Sequence, residues 1–219
     1  MGRKRTDRRD GPEQKAAREA AARGYAARQK RRQVLLLGGT VVVVLVAAAL
    51  AYGYYQQARL LDAVTTASYP AGQHLAGRIQ YKENPPVGGA HNVAWQNCGI
   101  YNAPIHNEHA VHSLEHGAVW ITYRPDLPAD QVEVLRRVAL DDLMLLSPYP
   151  GLPAPVVASA WNHQVALEGA SDPRLAAFIA EYRNNPETTP EFGASCAGAI
   201  SNGSAVEESL TDPRAGMTR

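Results

Sequence analysis

Residues 107–123, NEHAVHSLEHGAVWITY, change character once, at Gly117. Before it, His109, His112 and His116 recur at spacings of three and four, which places them on one face of a helix, and Gly117 stands where such a helix stops. After it, residues 118–123 form a β-branched and aromatic run closed by Arg124-Pro125, which predicts a strand. A helix that hands the chain directly to an apolar strand predicts an α/β or α+β domain built on a small mixed sheet.

The flanks extend this pattern. Downstream, ADQVEVLRRVALDDLMLLS (129–147) repeats Val132, Leu135, Val138, Ala139 and Leu143 at helical spacing, which predicts an amphipathic helix ended by Pro148. After the turn YPGLPAP come two strand candidates, VVASAW (156–161) and HQVALE (163–168). Asp172-Pro173 reads as a side-chain cap followed by Pro at the first helical position, so a helix is expected through LAAFIAEYRNN, stopping before Pro186. Upstream, SYPAGQHLAGRIQYKENPPVGGAHN (68–92) breaks every helical pattern and reads as an extended surface segment with at most one short strand. Met144 and the tryptophans Trp95, Trp120 and Trp161 read as core or rim packing.

Further out, the chain stops resembling a simple globule. The totals of 22 Lys+Arg and 21 Asp+Glu leave a net charge of only +1, but the charges are segregated. Residues 1–33 hold 12 Lys/Arg and 4 Asp/Glu, a net of +8, whereas 56–219 hold 10 and 17, a net of −7. Between them VLLLGGTVVVVLVAAALAYGYY (34–55) carries no charge. About 20 such residues cross a hydrocarbon core of roughly 30 Å. Lys30, Arg31 and Arg32 on one side and Tyr52, Tyr54 and Tyr55 on the other match the basic flank and aromatic belt of a single-pass signal-anchor. The small residues 47–51 keep a cleaved signal peptide as the rival reading. The expected organisation is a basic cytoplasmic tail (1–33), a transmembrane helix (34–55), a stalk (56–69), an extracytoplasmic domain (70–198) and a disordered tail (199–219). This places the protein in the cell membrane with the lipid bilayer as one partner and the C-terminal domain outside. The acidic balance of that domain argues against nucleic acid as a partner.

Only Cys98 and Cys196 occur. In an oxidising compartment their default is a disulfide, with a cysteine metal ligand as the alternative. No CxxC spacing supports a redox pair.

Six of the seven histidines precede residue 117, and four of them (His106, His109, His112 and His116) fall within eleven residues. His112 and His116, one turn apart, make a clamp for a divalent metal. His91 would supply a third nitrogen by folding over, and Glu108 or Glu115 would serve as ligand or as the hydrogen-bond partner that fixes a ring's tautomer. Imidazole ligands permit zinc, copper or nickel, with zinc or copper the leading expectation. The zinc-protease HExxH is absent, because the glutamate sits beside the second histidine. The competing reading is a buried network in which His and Glu satisfy each other.

The string HNVAWQNCGIYNAPIHNEHAVHSLEHGAVWITYRPDLP (91–128) resembles the family catalogued as domain of unknown function 3105, over about residues 70–198. The resemblance implies the same layout of basic N-terminus, membrane helix and exported domain. By position the family pattern falls on His91, Asn92, Cys98, Gly99, Tyr101, Pro104, Glu108, His112, Ser113, Glu115, His116, Gly117 and Trp120, and later around Pro153, Ala160-Trp161 and Cys196. It implies no activity. The leading functional expectation is a membrane-anchored domain with a His-rich transition-metal site. The alternative is a non-enzymatic accessory subunit of a membrane protein complex, in which the His/Glu cluster is scaffold. A metal-assisted hydrolase ranks last, since no GxSxG motif or paired-carboxylate signature is present.

Overall fold

The computed structural model describes residues 12–202, which fall into two compact units divided between Gln56 and Gln57. The first unit is carried by helix α1 (Pro12–Leu60), 49 residues long and so about 74 Å at 1.5 Å per residue. Its stretch Arg23–Gln56 is long and apolar enough to cross a membrane. Val34, Leu35, Leu36, Leu37 and Leu50 are all exposed among the described residues.

The second unit is α+β. A six-stranded mixed sheet runs in the order β1 (Thr65–Thr66), β6 (His163–Leu167), β5 (Val156–Ala160), β3 (Val119–Tyr123), β4 (Met144–Pro148) and β2 (Gly99–Ile100). β3 is central, antiparallel to β5 and parallel to β4. The parallel pair is connected through helix α3 (Ala129–Val138), because parallel neighbours need a crossover. All five residues of β3 are buried, and their alternation defines two layers. Val119, Ile121 and Tyr123 pack with Met144, Leu146, Val156 and Val165 against Leu135 of α3 and Leu175 and Phe178 of helix α4 (Pro173–Tyr182). Trp120 and Leu145 point the other way, against Ala110, Val111 and Leu114 of helix α2 (Asn107–Glu115). Trp120 is completely buried and its indole N–H donates to Ser147 Oγ at 3.0 Å.

Several local expectations hold. The helix-to-strand switch is sharp: Gly117, at φ +94°, returns its N–H to Leu114 O, and β3 begins two residues later. A Cβ at this position would lie 2.9 Å from Thr189 Cγ2 and 3.2 Å from the Asn184 backbone, so Gly is required by conformation and by space. Asp172 caps α4, accepting the Arg174 N–H at 3.0 Å. Met144, Trp120 and Trp161 are core residues.

Two expectations fail. The segment 68–92 does not stay on the surface, since Val87, His91 and Asn92 are buried, where their backbone and side chains meet α2 and its surroundings. The periodic run 129–147 is not a single helix: α3 ends at Val138, Leu143 takes a left-handed φ of 58°, and Met144 starts β4. The leucines that matched a helical face are recruited by the sheet, where Val119 N–H bonds Leu143 O at 2.9 Å and opens the parallel ladder. Tertiary pairing overrides a short periodicity here.

The stretch 56–69 holds the end of α1 and then β1, which pairs with β6. Beyond Cys196 the chain stays packed: Ile200 is buried and exchanges backbone hydrogen bonds with the 95–97 segment. The expected disordered tail lies outside the described residues from 203 onward. Cys98 and Cys196 stand at disulfide distance, with Cα atoms 5.3 Å apart.

Candidate metal centre

α2 is a nine-residue helix whose residues from Glu108 to Glu115 are all buried, an unusual position for so polar a sequence. Burial on this scale requires partners, and a strap of chain between Gly89 and Gln96 supplies them. Its carbonyls meet the helix in sequence. Asn92 O accepts from His112 Nδ1 at 2.8 Å, Ala94 O from His109 Nδ1 at 2.6 Å, and Gln96 O from the Ser113 hydroxyl at 2.6 Å. Within the strap, Gly89 O accepts from His91 Nδ1 at 2.8 Å. At the far end of α2, Ser195 O accepts from His116 Nδ1 at 2.6 Å.

These bonds determine tautomers. A carbonyl has no proton to give, so each Nδ1 must carry one, and the neutral ring then presents its lone pair at Nε2. Orientation of a ring through Nδ1–H to a carbonyl is the arrangement that makes a histidine a metal ligand through Nε2. Four rings, His91, His109, His112 and His116, are oriented in this way, and His91, His112 and His116 stand side by side. They are close: His91 and His112 centroids are 4.8 Å apart, and His112 and His116 centroids 4.7 Å.

The His91–Glu115 contact is the most informative. His91 Nε2 lies 2.9 Å from Glu115 Oε2, with both side chains fully buried, and neither atom has a hydrogen-bond donor. The other oxygen, Oε1, accepts the Gly72 N–H at 2.6 Å. A neutral imidazole lone pair and a carboxylate oxygen at this separation repel, so the pair calls for a cation between them, either a proton on Nε2 or a metal ion. Burial pushes the Glu115 carboxyl up, but the His91 ring and the Gly72 N–H outweigh it and hold the group below its ordinary value. His112 is pushed down to about 3, by burial first and then by the His91, His116 and His74 rings, against the opposing pull of the Asn92 carbonyl. Its Nε2 lone pair is therefore available across the physiological range.

Two ligand groups result, each with all ligating atoms within 4.8 Å of one another: His74, His91, His112 and Glu115, and His112, His116 and Glu191. A tetrahedral ion at about 2.0–2.1 Å from each ligand needs separations of roughly 3.3 Å, so side-chain shifts no larger than about 1.5 Å would close either group on an ion. A concavity of about 210 Å³, lined by His74, Leu75, Ala76, Asn92 and Val93, touches the first group at His74.

Of the residues singled out from sequence, the fold brings His91, His112 and Glu115 into one group and puts His116 in the other. Glu108 joins neither: it is buried, and its Oε1 accepts the Ile79 N–H at 2.9 Å. Sequence spacing missed His74 and Glu191. His74 reaches the centre because its segment bridges His91, with Leu75 N–H on His91 O at 2.7 Å. Glu191 does so because its N–H bonds the Glu115 carbonyl at 3.1 Å, and its Oε2 lies 3.1 Å from His116 Nε2. His74 is a histidine in an otherwise featureless loop, a signal that was present; Glu191 gave none.

A family model described as "Protein of unknown function (DUF3105)" matches residues 73–198, which span the strap, α2, every strand of the sheet but β1, and Cys196. No curated protein and no solved structure matches the chain significantly.

Proposed function

We propose that this chain, which belongs to the DUF3105 family of proteins of unknown function, binds one divalent transition metal, zinc or copper, through His91, His112 and Glu115, with the exposed His74 as the fourth ligand. The observation that carries the reading is the His91–Glu115 pair, two acceptors 2.9 Å apart in a fully buried centre whose rings are already turned Nε2-inward by carbonyls. Three imidazoles and a carboxylate suit zinc or copper better than hard cations, which prefer all-oxygen sites. A nucleophilic hydrolase finds no support, since the buried Ser113 hydroxyl is directed at the Gln96 and His109 carbonyls. The domain is held to the membrane by α1, with the basic N-terminal segment on the cytoplasmic side and the metal centre outside.

The test is metal content. Full-length chain purified in detergent without a histidine tag should carry a stoichiometric transition metal by mass spectrometry, or take up one equivalent of Zn(II) or Cu(II) on titration. The His112→Ala/His116→Ala variant should lose it. No stoichiometric metal in either protein would overturn the reading. It would favour instead an accessory subunit whose His/Glu cluster is scaffold, an imidazolium at His91 then accounting for the contact with Glu115. Protease protection in sealed vesicles tests the orientation: cleavage of the C-terminal unit from the cytoplasmic side would refute it.

A further inference from the structure

We propose that the centre offers two positions to a single ion, an inner one at His74, His91, His112 and Glu115 and an outer one at His112, His116 and Glu191, and that the ion passes between them over His112. The proposal rests on the metal reading above and specifies how that site loads and unloads.

His112 belongs to both groups and stands midway, its ring centroid 4.8 Å from that of His91 and 4.7 Å from that of His116. With its Nδ1–H committed to Asn92 O, it has one lone pair, at Nε2. One lone pair binds one ion, so the two positions exclude each other and cannot form a two-metal site through this residue. Each position has one exposed ligand, His74 in the inner group and Glu191 in the outer. His91 and Glu115 are fully buried, whereas the side chain of Glu191 is 44 % exposed. An ion arriving on the Glu191 side meets that carboxylate and His116 before it meets Glu115, although His74 of the inner group is exposed as well. Trading the Glu191 and His116 ligands for Glu115 and His91, while His112 stays bonded, moves the ion inward without leaving it bare. The backbone ties these ligands together, since Glu191 N–H bonds the carbonyl of Glu115 itself. The cargo this fits is an exchangeable divalent ion arriving as a hydrated or weakly chelated species.

Co(II) serves as the spectroscopic probe on full-length chain in detergent, and an excess of a colorimetric chelator reads release. Wild type should bind one equivalent. Glu191→Gln, at a half-exposed side chain that is safe for folding, and the His116→Gln/Glu191→Gln pair should keep one equivalent and the inner-site spectrum, while loading and release slow by about tenfold or more. Glu115→Gln should shift the spectrum to that of the outer position and weaken binding, and His112→Gln should lose both spectra. Two equivalents in wild type, with His112→Gln losing only one, would overturn the shared position. So would unchanged loading and release rates in the paired variant. No Co(II) binding by wild type would instead overturn the metal reading on which the proposal rests.

Discussion

Replacing Glu115 by Gln is the most discriminating single change, because the two explanations of the His91 contact predict opposite costs. Gln keeps the shape and keeps Oε1 as acceptor for the Gly72 N–H, now 2.6 Å away. It places an NH₂ where Oε2 lies 2.9 Å from His91 Nε2. The repulsion between acceptors becomes an ordinary hydrogen bond to a neutral ring, worth about 1 kcal/mol. On the metal reading, the variant freed of metal with a chelator should therefore unfold within about 1 kcal/mol of wild type. Adding Zn(II) at a hundred times its dissociation constant should stabilise wild type by about 2.7 kcal/mol. At about 2–4 °C per kcal/mol for a domain of this size, that is a rise in Tm of roughly 5–11 °C. Glu115→Gln should lose most of that rise. If the pair is instead a permanent imidazolium–carboxylate bridge, removing one charge should cost about 3–5 kcal/mol with or without metal. Thermal unfolding of both proteins, with chelator and with Zn(II), decides between them. A loss of more than 3 kcal/mol in chelator, together with no Zn(II) response in wild type, would refute the reasoning.

Other expectations follow from the same structure. Gly117→Ala imposes a Cβ at φ +94° against Thr189 and the Asn184 backbone, and should cost about 2–4 kcal/mol in chemical denaturation; adding Thr189→Ala should return only the steric part. His112, neutral in the fold down to about 3 while the unfolded chain takes a proton near 6.5, makes the unfolded state the greater proton binder between those values. Its effect on metal-free stability is nil above pH 6.5 and becomes a growing penalty as pH falls toward 3, at about 1.4 kcal/mol per unit. Denaturation in chelator across pH 7.5 to 4 should show this slope, and His112→Gln should flatten it; an equal slope in the variant would assign it to another group. Breaking the Cys98–Cys196 link, which spans 98 residues, should cost about 4–5 kcal/mol on chain-entropy grounds, and it loosens the segment whose Ser195 carbonyl orients His116. Comparing Cys98→Ser/Cys196→Ser with wild type by thermal unfolding and by metal titration separates the two effects: a variant as stable as wild type would refute the first.

How much of the site could be read in the sequence depends on how local its geometry is. Helix α2, its stop at Gly117 and strand β3 are decided by neighbours within four residues, and so were legible. The cap at Asp172 is legible for the same reason. The boundary after Val138 was not, because Met144 to Pro148 carry a pattern that a helix and a buried strand share, and only pairing with β3 chooses between them. Glu108 and Glu115 are equivalent by spacing from the histidines. The fold separates them by what lies opposite: the Ile79 N–H for one, and His91 with Gly72 N–H for the other.

By itself the sequence determined the anchor-length apolar helix, the segregation of charge about it, the helix-to-strand switch and the identity of most nitrogen donors. These are properties of composition and of spacings shorter than a helical turn or two, which neighbouring residues decide. The tertiary structure alone decided which donors converge. His74 and Glu191 arrive through backbone bonds to His91 and Glu115, from segments 17 residues upstream and 76 residues downstream of those partners, and four carbonyls dictate which nitrogen of the His91, His109, His112 and His116 rings is a donor. A ligand set is a statement about distances of a few ångströms, and those distances exist only once long loops have been closed by the sheet and the strap.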